Sequence, residues 1–134
     1  MPLSLAKIEP IRQPPLPPDA DESLASRHNE RVFDLCDRVI EIASALFNVS
    51  GSELRDTDRN SNSAARVRQV AMYVTHVVFG LTMADVGYGF GRDRTTVRHA
   101  CHLIEDLRED EDFDQVVAMM EKVSMAALRE RLPR

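Results

Sequence analysis

Between Asn29 and Leu128 the apolar residues fall largely into stripes spaced by three and four, the period of helices that bury one face. The first stripe, Val32, Phe33, Leu35, Cys36, Val39, Ile40, Ala43, Leu46 and Phe47, describes an amphipathic helix over residues 29–47, which Asn48-Val49-Ser50-Gly51 then ends. Aromatic side chains make up only 5% of the chain and Trp is absent, so the core has to be built from Leu, Val, Ile, Met and Ala. At 134 residues the chain is long enough for one such core. The expected fold is therefore all-α.

Ser50 or Ser52 can then cap a short turn of helix holding Leu54, with Glu53 favoured in its first turn by the helix dipole. The polar stretch Asp56 to Ser63 reads as a loop. A third helix is expected from Ser63 or Ala64 to Phe79, with Val67, Val70, Ala71, Val74, Val77 and Val78 facing one way and Gly80 stopping it. Thr82 then caps a short helix whose Ala84, Val86 and Phe90 turn inward and whose glycines allow a left-handed turn.

A further helix starts at Arg92 or Asp93 and runs to Leu107, burying Val97, Ala100, Cys101, Ile104 and Leu107. A last helix follows the acidic break Glu109 to Asp112 and carries Phe113, Val116, Val117, Met120, Val123, Ala127 and Leu128 on one stripe. Six of the seven prolines lie in residues 1–25, a composition that favours a disordered, solvated tail. The expected organisation is thus a Pro-rich tail over 1–25, one helical domain over 26–110, and a C-terminal helix over 111–134 that packs on the domain or on a partner.

The net charge of -5 argues against a nucleic-acid partner only if it is spread evenly, and it is not. Residues 1–58 sum to -5, residues 59–108 to +3 and residues 109–134 to -3. The basic segment spans the loop after residue 58, the third helix, the short helix, the glycine corner and the next helix. A helix whose first turns expose Asp, Arg and Thr suits the DNA major groove: Arg pairs bidentately with guanine, Asp accepts from cytosine and a Thr methyl packs on thymine. Asp93, Arg94, Thr95, Thr96 and Arg98 supply that chemistry, although Thr96 can equally face the capping turn. A capped helix with an ordinary solvated face explains the same residues.

Two separated blocks, Ala65-Arg66-Val67-Arg68-Gln69-Val70-Ala71-Met72-Tyr73 and Gly91-Arg92-Asp93-Arg94-Thr95-Thr96-Val97-Arg98-His99-Ala100-Cys101, resemble the signature of the bacterial DnaA C-terminal domain, and the similarity runs from about Leu35 to Arg108. The resemblance implies a Trp-repressor-like helical bundle with a helix-turn-helix that binds short double-stranded sites. Carried over by position, it puts Asp93, Arg94, Thr95 and Thr96 at base edges, with Arg98 on the same side. Arg92, Arg66, Arg68, Gln69, Thr82 and His99 are then expected at the backbone or flanking it, and Arg59 and Asn60 in the region of a minor-groove arginine. The family usually has His at the place of Arg94 and an apolar residue at that of Arg98, which shifts the expected reading toward guanine.

No GxxxxGK[ST] phosphate loop occurs in the sequence, so neither a nucleotide nor another cofactor is expected. The layout is similar to that of small stand-alone regulators, including alphaproteobacterial activators of gene transfer agent genes of the GafA and GafY type. The expectation is a transcription regulator, an activator, in the cytoplasm and nucleoid-associated. The weighed alternative is a protein-interaction module, or a replication-control accessory, that keeps the fold without reading DNA. RNA polymerase or a partner regulator is a candidate to meet the tail or the last helix, where Met119, Met120, Met125, Ala126 and Ala127 leave apolar groups on more than one face.

Other classes find little support. Cys36 and Cys101 have no CxxC spacing and read as reduced, buried thiols. His99 and His102 share a face but lack further ligands for zinc, and His76 reads as a core histidine. Gly87-Tyr88-Gly89-Phe90-Gly91 has no preceding strand and cannot be a dinucleotide loop. The apolar run Val70 to Leu81 is too short to span a bilayer. With no nucleophile and base, the chain is not expected to be an enzyme.

Overall fold

The computed structural model describes residues 18–56 and 62–129, with side chains from residue 23 onward. Among the described residues there are six helices: α1 (Pro18–Phe47), α2 (Gly51–Arg55), α3 (Asn62–Phe79), α4 (Met83–Phe90), α5 (Arg94–Leu107) and α6 (Glu111–Leu128). No strand occurs among the described residues, and the fold is all-α as the apolar periods require.

α1 begins well before Asn29, at Pro18, so residues 18–25 are helical and do not belong to an extended tail. Pro is tolerated at a first helical position because its missing N–H has no partner there. The Pro-rich stretch before residue 18 lies outside the described residues. Asn48, in a left-handed conformation with φ 55°, ends α1, and Ser50 accepts from the Glu53 amide at 3.1 Å to start α2.

α3 is the axis of the molecule, packing against each of the other five helices. Its Val70, Ala71, Met72, Tyr73, Val74 and Thr75 are all buried. Thr75 satisfies its hydroxyl on the Ala71 carbonyl at 2.7 Å. Around α3 close Cys36, Val39, Ile40 and Ala43 of α1, Val86 and Phe90 of α4, Val97 and Ile104 of α5, and Val117 and Met120 of α6.

Several residues expected on buried stripes are placed elsewhere, and Val116, Val123 and Ala127 of α6 are exposed. Phe33 and Val77 are about half exposed, at 47% and 48%, Ala84 is exposed, and Leu107 is only half-buried. The period that brought them in is that of the whole apolar stripe, whereas burial depends on which neighbour arrives; α4 covers α1 on the side of Val32 and Cys36, leaving Phe33 at the rim. Both cysteines are free and buried, and burial pushes the Cys36 thiol up to about 12.

Candidate nucleic-acid interface

α4 and α5 form the two helices of a helix-turn-helix, and the turn between them is fixed by local chemistry. Thr82 caps α4 by accepting from the Asp85 amide at 3.1 Å. The helix closes at Gly91, whose φ of 68° lies in the left-handed region open to glycine at no steric cost, and the Arg92 amide bonds back to the Gly87 carbonyl at 2.8 Å. The two helices leave no room beside α1: a Cβ on Gly89 would stand 2.7 Å from the Cβ of Cys36.

Asp93 is the N-cap of α5, its Oδ1 accepting from the Thr96 amide at 2.8 Å. The Thr96 backbone bond, and after it the Thr96 hydroxyl, hold the Asp93 carboxyl below the usual carboxylate range. Of the five residues proposed to meet bases, Asp93 and Thr96 are thus engaged with each other at the helix start. The buried face of α5 is Val97, Ala100, Cys101 and Ile104, which turns Arg94, Thr95, Arg98, His99 and His102 outward.

Arg94, Thr95 and Arg98 meet Thr82, Met83 and Ala84 around one shallow hollow of about 410 Å³ at the start of both helices. Neither Arg94 nor Arg98 is ion-paired among the described residues. The exposed start of α5 therefore carries two cations and a hydroxyl pointing the same way.

The flanking residues divide differently from the expectation. Arg66 is exposed and donates to Gln69 Oε1 at 3.0 Å, and His99 is exposed on α5. Arg68 and Arg92 are turned inward instead: Arg68 donates to the carbonyls of Leu54 at 2.7 Å and Glu53 at 3.0 Å, and Arg92 donates to the carbonyls of Asp56 and Arg55. They cap the carbonyl end of α2, whose last C=O groups have no helical partner. Arg59 and Asn60 lie outside the described residues.

Arg55 was not singled out from the sequence, yet it ties three elements. Its guanidinium donates to the Gly89 carbonyl at 2.8 Å, pairs with Asp37 at 3.2 Å and stacks 4.6 Å above the Phe33 ring. The signal available was an arginine in the last turn of a five-residue helix, where cations commonly seek carbonyls.

A cap at Thr82, a left-handed glycine, a second cap at Asp93 and an outward-facing helix start define this as a helix-turn-helix protein. The model of the bacterial DnaA protein helix-turn-helix matches residues 36–104, more than half of the chain. The chain belongs to that family.

It is 34% identical over 106 residues to the chromosomal replication initiator protein DnaA of Lachnoclostridium phytofermentans, covering 78% of this chain and 23% of the relative. The Rickettsia canadensis protein of the same name is 36% identical over 86 residues, covering 63% and 18%. The chain thus spans less than a quarter of the length of these relatives. Among solved structures, the fold is similar to a DNA replication initiation factor with a TM-score of 0.68 at 23% identity, over 77% of this chain and 32% of that one. A replication initiator DnaA bound to AMPPCP and single-stranded DNA gives a TM-score of 0.66 at 24% identity, over 78% and 32%.

Proposed function

We propose that this protein is a sequence-specific double-stranded DNA-binding transcription regulator, an activator, that reads the major groove with the start of α5. The observation that carries the reading is the cluster of Arg94, Thr95 and Arg98 beside Thr82, exposed and without a carboxylate on either guanidinium among the described residues. Arginine forks suit guanine O6 and N7, and the Thr methyl suits thymine. Asp93 holds the helix start at a fixed height, so that Arg94 and Thr95, directly after it, enter the groove first. Thr82, Arg66, Gln69 and His99 sit on the surrounding exposed or half-exposed surface and serve phosphates.

Activation also asks for a protein contact, with RNA polymerase or with a second regulator, and the place of action is the nucleoid. The gene transfer agent activators remain the proposed type within the family.

The test is genome-wide immunoprecipitation of the tagged protein beside an Arg94→Ala, Thr95→Ala double variant whose folding is verified by thermal melting. Discrete wild-type peaks that share a motif and vanish in the variant support the reading. No enrichment, or peaks indifferent to the substitutions, overturns it and favours the interaction module that keeps the fold without reading DNA.

A further inference from the structure

A hollow of about 610 Å³ runs along the flank of α1 from Ala25 to Asp37, with Tyr88 of α4 as its other wall. Two aromatic rings give it an apolar surface, Phe33 and Tyr88, 47% and 54% exposed. Asn29 and the Tyr88 hydroxyl supply hydrogen-bond donors, and the charged residues lining it are Glu30, Asp34 and Asp37, all carboxylates. Arg55 stacks on Phe33 and pairs with Asp37 at one end, and Arg38 draws on Asp34 at 3.8 Å from outside. Glu30 is exposed and has no ion pair among the described residues. The hollow shares no residue with the one at the start of α5.

Exposed aromatics set among donors and carboxylates suit a polyproline II segment that carries a cation. Such a helix makes no internal hydrogen bonds, so its carbonyls are open to donors, and its proline rings pack on aromatic side chains. The chain itself holds such a sequence ahead of α1: Arg12-Gln13-Pro14-Pro15-Leu16-Pro17, a PxxP with an arginine two positions before its first proline. At about 3.1 Å per residue, residues 12–17 reach about 16 Å; the stretch of α1 from Ala25 to Asp37, at about 1.5 Å per residue, runs about 18 Å. The lengths match. Gln13, Pro14, Leu16 and Pro17 each precede a proline, which biases them toward extended geometry, and Pro18 is already the first residue of α1. The sequence thus offers no place to turn this segment back onto the flank of its own helix.

We propose that the hollow is a docking groove for the Arg12–Pro17 segment of a second copy of this chain, with proline rings on Phe33 and Tyr88 and Arg12 meeting Glu30 beside Asp34. Exchange in both directions closes a two-fold dimer. The contact is small, so the dimer is weak, and it leaves Arg94, Thr95 and Arg98 of both copies uncovered. The proposal does not depend on DNA reading.

Two measurements on the full chain, without DNA, test it. Sedimentation equilibrium over about 5–500 µM is expected to show a reversible monomer–dimer equilibrium. Tyr88→Ala is expected to weaken association at least about tenfold, the scale of an aromatic anchor, and Pro14→Ala with Pro17→Ala, which changes no residue of the helical body, by a similar factor. Glu30→Arg alone and Arg12→Glu alone each weaken it roughly two- to tenfold, since two symmetry-related exposed pairs are lost, and the double swap recovers it. Fluorescence anisotropy of a labelled peptide of residues 8–18 identifies the occupant: it binds the Pro14→Ala, Pro17→Ala chain and loses that affinity when Tyr88→Ala is added. Circular dichroism melting confirms that each variant is folded. A wild type that stays monomeric at all concentrations overturns the proposal; if the peptide still binds, the groove belongs to a proline-rich segment of another protein. A dimer indifferent to Tyr88→Ala or to the proline substitutions, or a double swap that fails to recover two weakened singles, overturns it as well.

Discussion

Arg68 and Arg92 converge on the carbonyl end of α2, Arg68 holding the Leu54 and Glu53 carbonyls and Arg92 those of Asp56 and Arg55. Two like charges are held close, and burial, then the neighbouring Arg92, lowers the proton affinity of Arg68. The pair persists because each guanidinium fork matches two carbonyls that the short helix leaves without partners.

Replacing either arginine by Ala is therefore expected to cost about 1–3 kcal/mol of stability, the range for a charged hydrogen bond removed from backbone carbonyls. Lys at position 68 rescues less than half of the loss, because one ammonium cannot span both carbonyls. Urea denaturation followed by circular dichroism measures both; an unchanged midpoint for Arg68→Ala refutes the capping role.

Gly89→Ala is expected to destabilise the fold by about 2 kcal/mol or more, since the new methyl overlaps Cys36 and cannot be absorbed by a flexible side chain. Adding Cys36→Ala removes the sulfur but keeps the Cβ at 2.7 Å, so recovery should be partial. Full recovery in the double variant would show that α1 and α4 separate more easily than their packing suggests.

Ser124 is buried in α6 with a hydroxyl that finds no hydrogen-bond partner among the described residues. Ser124→Ala removes an unsatisfied polar atom and improves helix propensity, with an expected gain of about 1 kcal/mol. Thermal melting at equal protein concentration decides the sign.

Burial, with the Glu105 carboxylate that accepts the Tyr73 hydroxyl at 2.6 Å, raises the Tyr73 phenol from its ordinary value of 10.0 to about 12. The folded state then keeps its proton after the unfolded chain has released it. The contribution is whole below pH 10 and is lost as pH climbs toward about 12, amounting to at most about 2 kcal/mol. Chemical denaturation at intervals from pH 8 to pH 11.5 should show the wild type losing stability faster than Tyr73→Phe; parallel curves would exclude the effect.

Arg94→Ala and Arg98→Ala should behave as base-reading substitutions if α5 lies in the groove. Each is expected to weaken binding to a motif-bearing duplex by about 1–3 kcal/mol and to relax preference at one base pair, whereas Arg66→Ala weakens all duplexes alike and lowers the salt slope by about one. Fluorescence anisotropy titrations on matched and mismatched duplexes at several salt concentrations separate the two behaviours.

The helices and both caps of the helix-turn-helix were legible because they rest on local signals: Thr82 three residues before Asp85, Asp93 three before Thr96, and Gly91 between. The outward set Arg94, Thr95 and Arg98 followed from the buried period of Val97, Ala100, Cys101 and Ile104. The roles of Arg68 and Arg92 were not legible, since their carbonyl partners lie 14 and 36 positions away and an arginine near a reading helix has the same appearance whether it faces DNA or its own backbone. The early start of α1 was masked by proline, which is common both in extended tails and at first helical positions.

α1 runs from Pro18, yet among its described side chains the first buried one is Val32, and residues 23–28 are exposed apart from a bond of 3.1 Å between His28 and Asp85 on α4. The helix thus leaves the body as a spar, with about 15 Å of its length, at about 1.5 Å per residue, ahead of that brace. Adding one residue between 23 and 27 would advance the tip by only about 1.5 Å but swing it by about 100° around the helix axis. Spacing there is governed by rotational phase more than by length.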